Sequence, residues 1–183
     1  MYMLELYQFN ELSAAVQQKL IDRNRGILFQ TGDGQDYIEN IKEEHRQRLE
    51  GIGFRDVAID AFVNTGAFFT CSGIDIESVL KHYGEYERFQ PAIAGYAASI
   101  DKKHNVNERL ESSVYLNVIS KTEDKFVPAL SAFIMDMARH EMRKIFGDIK
   151  ASYNRSRGDL AVRNALADAG YDYTIDGNKV EIE

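Results

Sequence analysis

Apolar and polar positions recur with clear periods along most of the chain, and those periods predict its elements. The segment from Tyr2 to Phe9 is dense in aromatic and aliphatic residues and predicts a strand. Asn10 or Ser13 then offers a side-chain oxygen to the free amides of a helix in which Leu12, Val16, Leu20 and Ile27 share one side. Gln17, Asp22, Arg23 and Arg25 fall to the solvent side of that helix. A turn composition at 30–35 leads into a second helix, Asp36 to Glu50, whose apolar line is Ile38, Ile41, His45 and Leu49 and which closes at Gly51 or Gly53. From 54 to 73 the period drops to two. Val57, Ile59 and Ala61 alternate with Ala58, Asp60 and Phe62, and AFFTCS follows the turn Asn64-Thr65-Gly66, which predicts a β-hairpin.

Asp75 opens a short helix, IESVLKHYG, and the stretch from Glu85 to Ile100 predicts another helical piece despite Pro91 and Gly95. After the polar connection DKKHNVNERLE, the run SSVYLNVIS alternates as a strand. The longest helix spans Glu123 to Ala151, with Pro128 in its first turn and an apolar stripe of Phe126, Leu130, Phe133, Ile134, Met137, Ile145 and Ile149. A last helix, Asp159 to Ala169, is introduced by Ser156 and ended by Gly170, and Asp176-Gly177 between two alternating runs predicts a closing hairpin. No repeat or low-complexity linker interrupts this order. The expectation is one α+β domain over 1–183, with a mixed or antiparallel sheet of five or six strands and four or five helices, one of them long.

Composition narrows the function classes. With 44% hydrophobic and 28% charged residues the chain has the material of an ordinary globular domain, and it holds no apolar run of the about 18 to 20 residues that a membrane helix needs. Twenty-two Lys and Arg against 29 Asp and Glu give a net charge of -7, which excludes a broad cationic track for nucleic acid. Cys71 is the single cysteine, so no intramolecular disulfide is possible and a reducing cytoplasm fits. The start MYMLELYQFNELS lacks the basic and apolar regions of a signal peptide.

No familiar catalytic pattern emerges. His45, His82, His104 and His140 lie on separate elements without metal-ligand spacing, and His140-Glu141 lacks the second histidine of a zinc-protease helix because Lys144 stands there. His45 reads as a core or boundary histidine. Cys71 follows two phenylalanines in a run that should be buried, which favours packing over nucleophilic use. TGDGQD has glycines but neither the preceding strand nor the Lys-Ser of a phosphate loop. No cofactor and no metal are implied. Three weaker candidates remain. Tyr83, Tyr86, Phe89 and Tyr96 crowd a region of poor periodicity and suit a stacking or anchoring surface. Arg155 and Arg157 form a concentrated basic point suited to phosphate, and Arg139, Arg143 and Lys144 form a basic patch suited to a partner, among Asp136, Glu141 and Asp148 on what reads as a solvated helix face.

The opening LYQFNELSAAVQQKLIDRNR, the central TGAFFTCSGIDIESVL and the closing FIMDMARHEMRKIFGDIKASYNRSRGDLAVRNALADAGYDYTIDGNKVEI resemble, in that order, segments of a group of small bacteriophage-encoded proteins of uncharacterised function. This chain departs from that group at Asn64-Thr65-Gly66, which replaces a polar Gly-Asp-Gly-like run, and in having no Trp. The resemblance implies expression in the cytoplasm of an infected bacterium and transfers no catalytic residue. Together with the charge, it leads to an accessory protein that binds a host bacterial protein in a defence or takeover pathway. The alternatives are a protein that sequesters a nucleotide signal, with the aromatics stacking the base and Arg155 and Arg157 holding phosphate, and an enzyme using Cys71 or the Asp60 and Asp75 carboxylates. A homodimer through the 123–151 helix is a further expectation, since that helix carries ample apolar surface.

Overall fold

The computed structural model describes residues 5–30, 33–63, 66–90, 93, 97–103, 113–119 and 127–180. In chain order these form α1 (Ala14–Arg23), α2 (Ile27–Gln30), α3 (Asp33–Ile52), β1 (Phe54–Arg55), β2 (Ala58–Phe62), β3 (Gly66–Ile74), α4 (Ile76–His82), α5 (Tyr86–Phe89), β4 (Ala97–Lys103), β5 (Ser113–Ile119), α6 (Val127–Ser156) and α7 (Asp159–Asp168). The chain divides into two compact units, one of Met1–Ile38 with Ala151–Glu183 and one of Glu39–Lys150. The dividing lines fall within α3 and α6.

The first unit is discontinuous in sequence. Ser13 caps α1, its hydroxyl accepting from the Val16 amide, so the capping expectation holds at Ser13 rather than Asn10. Phe9, Leu12, Leu20, Ile21 and Ile27 pack with Val162 and Leu166 of α7 and with Tyr173. Strands expected at both ends reduce to single bridges. Tyr7 and Tyr173 exchange two backbone hydrogen bonds of 2.9 Å, and Tyr173 also pairs with Lys179. Residues 1–4 lie outside the described chain. At the closing turn Gly177 has φ 79°, and a Cβ there would meet Val16 Cγ1 at 2.7 Å, so the position requires glycine twice over. Two polar assignments are corrected. Gln17 is buried rather than solvent-facing, and Ser156, the last residue of α6, gives its hydroxyl to Tyr153 O while Gly158 occupies the N-cap of α7.

The second unit is continuous. β1 and β2 run antiparallel along β3 in one unbroken register, from Phe54↔Ile74 to Phe62↔Gly66. They are one hairpin arm interrupted at Asp56, which sits at φ 51° and accepts a hydrogen bond from Ser72 Oγ. Asn64 and Thr65 of the expected turn lie outside the described residues. The interrupted β1–β2 arm pairs with one edge of β3 and β4 with the other, β5 following β4, so the antiparallel sheet has three full strands beside that arm, with a shift in register between Cys71 and Ile74. The sheet is therefore smaller than the five or six full strands expected. Helices outnumber the four or five expected, because short turns at α2 and α5 stand apart from their neighbours. The α+β class and the long helix are as expected. The helical piece expected within Glu85 to Ile100 is α5, and Ala97–Ile100 opens β4.

Gly53, at φ 123°, ends α3 with no room for a side chain: a Cβ would lie 2.9 Å from Asp75 O and 2.9 Å from Ser78 Cβ. That close approach lets Asp75 N–H donate to Gly53 O at 2.7 Å, and Asp75 in turn caps α4 through Ser78 N–H, as expected. Phe54 and Phe69 meet edge to face at 5.3 Å above this junction. α6 is described from Val127, and the expected start at Glu123 lies outside the described residues. Its inner stripe, Leu130, Ile134, Ala138, Ile145 and Ile149, is completely buried, whereas Phe133 and Met137 of the expected stripe are half-buried.

Candidate functional site

One position in the α6 stripe is not apolar. Glu141 falls seven residues after Ile134 and four before Ile145, in phase with the buried side, and it is fully buried. A lone carboxylate there would cost several kcal/mol, so partners converge on it. Tyr83, from the end of α4, donates its hydroxyl to Glu141 Oε1 at 2.9 Å. Lys144 Nζ, one helical turn on, donates to the same oxygen at 3.1 Å. The Arg48 guanidinium of α3 forms an ion pair with Oε2, which accepts no well-aligned hydrogen bond among the described residues.

Burial, the largest influence on Glu141, pushes its carboxyl up. The hydrogen bonds from Tyr83 and Lys144 and the charges of Arg48 and Lys144 together outweigh it and hold the group below the usual carboxylate range. The Tyr83 phenol is pushed well above its ordinary value, first by burial and then by its bond to, and the charge of, Glu141.

The network continues outward along α3. Arg48 Nη2 lies 3.0 Å from His45 Nδ1, and His45 Nε2 lies 2.9 Å from Asp148 Oδ2. A guanidinium can only donate, so in this contact Nδ1 is the acceptor and Nε2 the donor towards Asp148. His45 is buried, as its place in the apolar line implied. Beside this chain of contacts lies an open groove of about 560 Å³ lined by Glu44, His45, Arg48, Lys144, Gly147 and Asp148.

The outer side of α6 is different in kind. Arg139, Arg143 and Lys150 are exposed and follow one another at helical spacing, with Lys150 Nζ 5.8 Å from the centre of the half-buried Phe146 ring. Arg139 pairs with Asp136 at 3.2 Å, and Arg143 has no anionic partner among the described residues.

The sequence-selected residues thus separate. Arg139 and Arg143 stay on the outer surface, whereas Lys144 turns to Glu141, so the basic patch is not one surface. Glu141 itself is corrected from a solvated position to the centre of the unit. The aromatics also diverge. Tyr83 spends its hydroxyl on Glu141, Tyr86 lies under Lys81 Nζ at 4.8 Å, and Phe89 is buried with its ring 5.7 Å from Phe133. Tyr96 and His104 lie outside the described residues. Arg155 is exposed, and Arg157 donates to the Tyr153 hydroxyl at 3.0 Å; both belong to the other unit. Cys71 is buried in β3, Asp60 lies in β2, and Asp75 is committed to capping α4. Among the described residues no three His, Cys, Asp or Glu side chains are grouped to hold a metal ion, and no helix is long and apolar enough to cross a membrane. The phase of Glu141 was the available signal for the central group. Arg48 carried none, because its partner lies on another element.

Comparison of the chain with protein-family models, with curated proteins and with solved structures returns no match.

Proposed function

We propose that this is a bacteriophage accessory protein that acts by binding a bacterial protein of its host, in a defence or takeover pathway, through the outer face of α6. The observation that carries the reading is the exposed row Arg139, Arg143 and Lys150 beside Phe146 on a chain of net charge -7. In an acidic protein, self-attraction would tend to neutralise surface cations locally, and Arg143 has no anionic partner among the described residues. A row of cations around an aromatic ring suits an acidic protein surface: the charges speed and orient encounter, and the ring provides an anchor that water can be expelled from. The buried side of the same helix, fixed by Glu141, Arg48 and Tyr83, would hold the row rigid and so reduce the ordering cost of binding.

Affinity capture from bacterial lysate, with the wild type beside the triple reversal Arg139→Glu, Arg143→Glu, Lys150→Glu, tests this. A host protein retained by the wild type, weakened by added salt and lost by the reversal is the expected result. Equal capture by both proteins, or capture by neither, overturns the reading. The nucleotide-sequestering alternative draws less support from the side chains, since Tyr83 and Phe89 are used in packing and the Arg155 and Arg157 point is in the other unit. Calorimetry against a nucleotide panel would revive it only through a saturable response.

A further inference from the structure

We propose that the groove between α3 and α6 binds a small zwitterion, a molecule with one anionic and one cationic group such as an amino acid or dipeptide. Its lining carries both signs: Arg48 and Lys144 on one hand, Glu44 and Asp148 on the other. A ligand of a single charge would face repulsion from one of these pairs. A zwitterion satisfies both.

The donors and acceptors are there to do it. A guanidinium has five N–H groups and an ammonium three, more than Glu141 and His45 take up, and the side chains of Arg48 and Lys144 remain 37% and 45% exposed. Their remaining donors suit a carboxylate or phosphate. Asp148 gives Oδ2 to His45 and is 64% exposed, which leaves acceptor capacity for an ammonium group.

Gly147 is an observation of a different kind. Glycine inside a helix costs about 1 kcal/mol relative to alanine. A Cβ at Gly147 would meet nothing within 4 Å, so neighbouring atoms do not demand the glycine. What it leaves is open space along the groove, whose volume of about 560 Å³ falls in the range of small-molecule sites.

The test is calorimetry on the full chain with glycine, phosphoethanolamine and a lysyl-glutamate dipeptide, against succinate and 1,4-diaminobutane as single-signed controls. At least one zwitterion is expected to saturate, about tenfold or more tighter than either control. Gly147→Leu is expected to weaken that binding about tenfold or more while melting no lower than the wild type, and Glu44→Gln with Asp148→Asn to weaken it without unfolding. Three results would each overturn the proposal: no zwitterion saturating at millimolar concentration, succinate or the diamine binding as tightly, or Gly147→Leu binding unchanged.

Discussion

Each unit buries one long polar side chain against an arginine from another helix, and the two do so on different terms. In the first unit Gln17 of α1, 8% exposed, donates to Leu12 O at 2.9 Å and accepts from Arg163 of α7 at 2.7 Å. In the second, Glu141 of α6 meets Arg48, Lys144 and Tyr83. A neutral amide needs only its donor and acceptor matched, and two partners suffice. A carboxylate must have its charge balanced as well as its lone pairs filled, and it draws three partners, two of them from further elements. The first arrangement ties two helices together. The second makes one side chain the common partner of α3, α4 and α6, and it brings cations and acids to the adjoining groove.

The comparison is broken most severely by removing the charge that balances the carboxylate. Arg48→Met leaves Glu141 buried against one ammonium and a phenol, and should lower unfolding free energy by about 3 kcal/mol in urea denaturation. Next come the two closing glycines, one per unit. Gly53→Ala should cost about 2 kcal/mol or more, because the added methyl meets the Asp75 carbonyl, which cannot swing away. Gly177→Ala should cost less than that, since its obstacle is the Val16 side chain; equal thermal shifts for the two would show that backbone strain alone decides.

Smaller still, Gln17→Leu keeps the volume but strands the Leu12 carbonyl and the Arg163 guanidinium, for about 1 kcal/mol. The smallest effect is the pH slope that Glu141 adds in the second unit. Folding holds the Glu141 carboxyl below its ordinary value, so the contribution is present above the unfolded value of about 4.3 and is lost as pH falls through the lowered folded one. Stability of the wild type should fall more steeply with acid than that of Glu141→Gln. Parallel curves would mean that the ionised form has no advantage in the fold.

The same pair shows how far the sequence could be read. Helix periods, the 54–74 hairpin, the Asp75 cap and the long helix all follow from local pattern, because neighbours within a few residues set them. Gln17 and Glu141 were both assigned to solvent on their polarity, although each sits in phase with a buried stripe. What overrides polarity is a partner from a remote element, Arg163 or Arg48, and no local period encodes that pairing. Within Glu85 to Ile100, where a helical piece is expected, Tyr86–Phe89 is helix and Ala97–Ile100 is strand. AASI has ordinary helical residues, and strand pairing with β3 and β5 decides its state. Among the described residues the expected end strands are bridges, in which Tyr7 pairs with Tyr173 and Tyr173 also with Lys179. At the site, residue type picked out Lys144 and the phase of α6 pointed to Glu141, whereas the groove needs α3 and α6 side by side.

The backbone bridge between Tyr7 and Tyr173, with the packing of α1 on α7, also bears on the order in which a ribosome releases the chain. Everything the second unit needs, Glu39–Lys150, emerges as one continuous stretch and can condense while synthesis continues. α1 emerges before that stretch, yet Val162 and Leu166 must follow it before Leu20 and Ile21 can be covered. Until α7 arrives, α1 therefore keeps an uncovered apolar side, and the nascent chain is open to chaperones and proteases there.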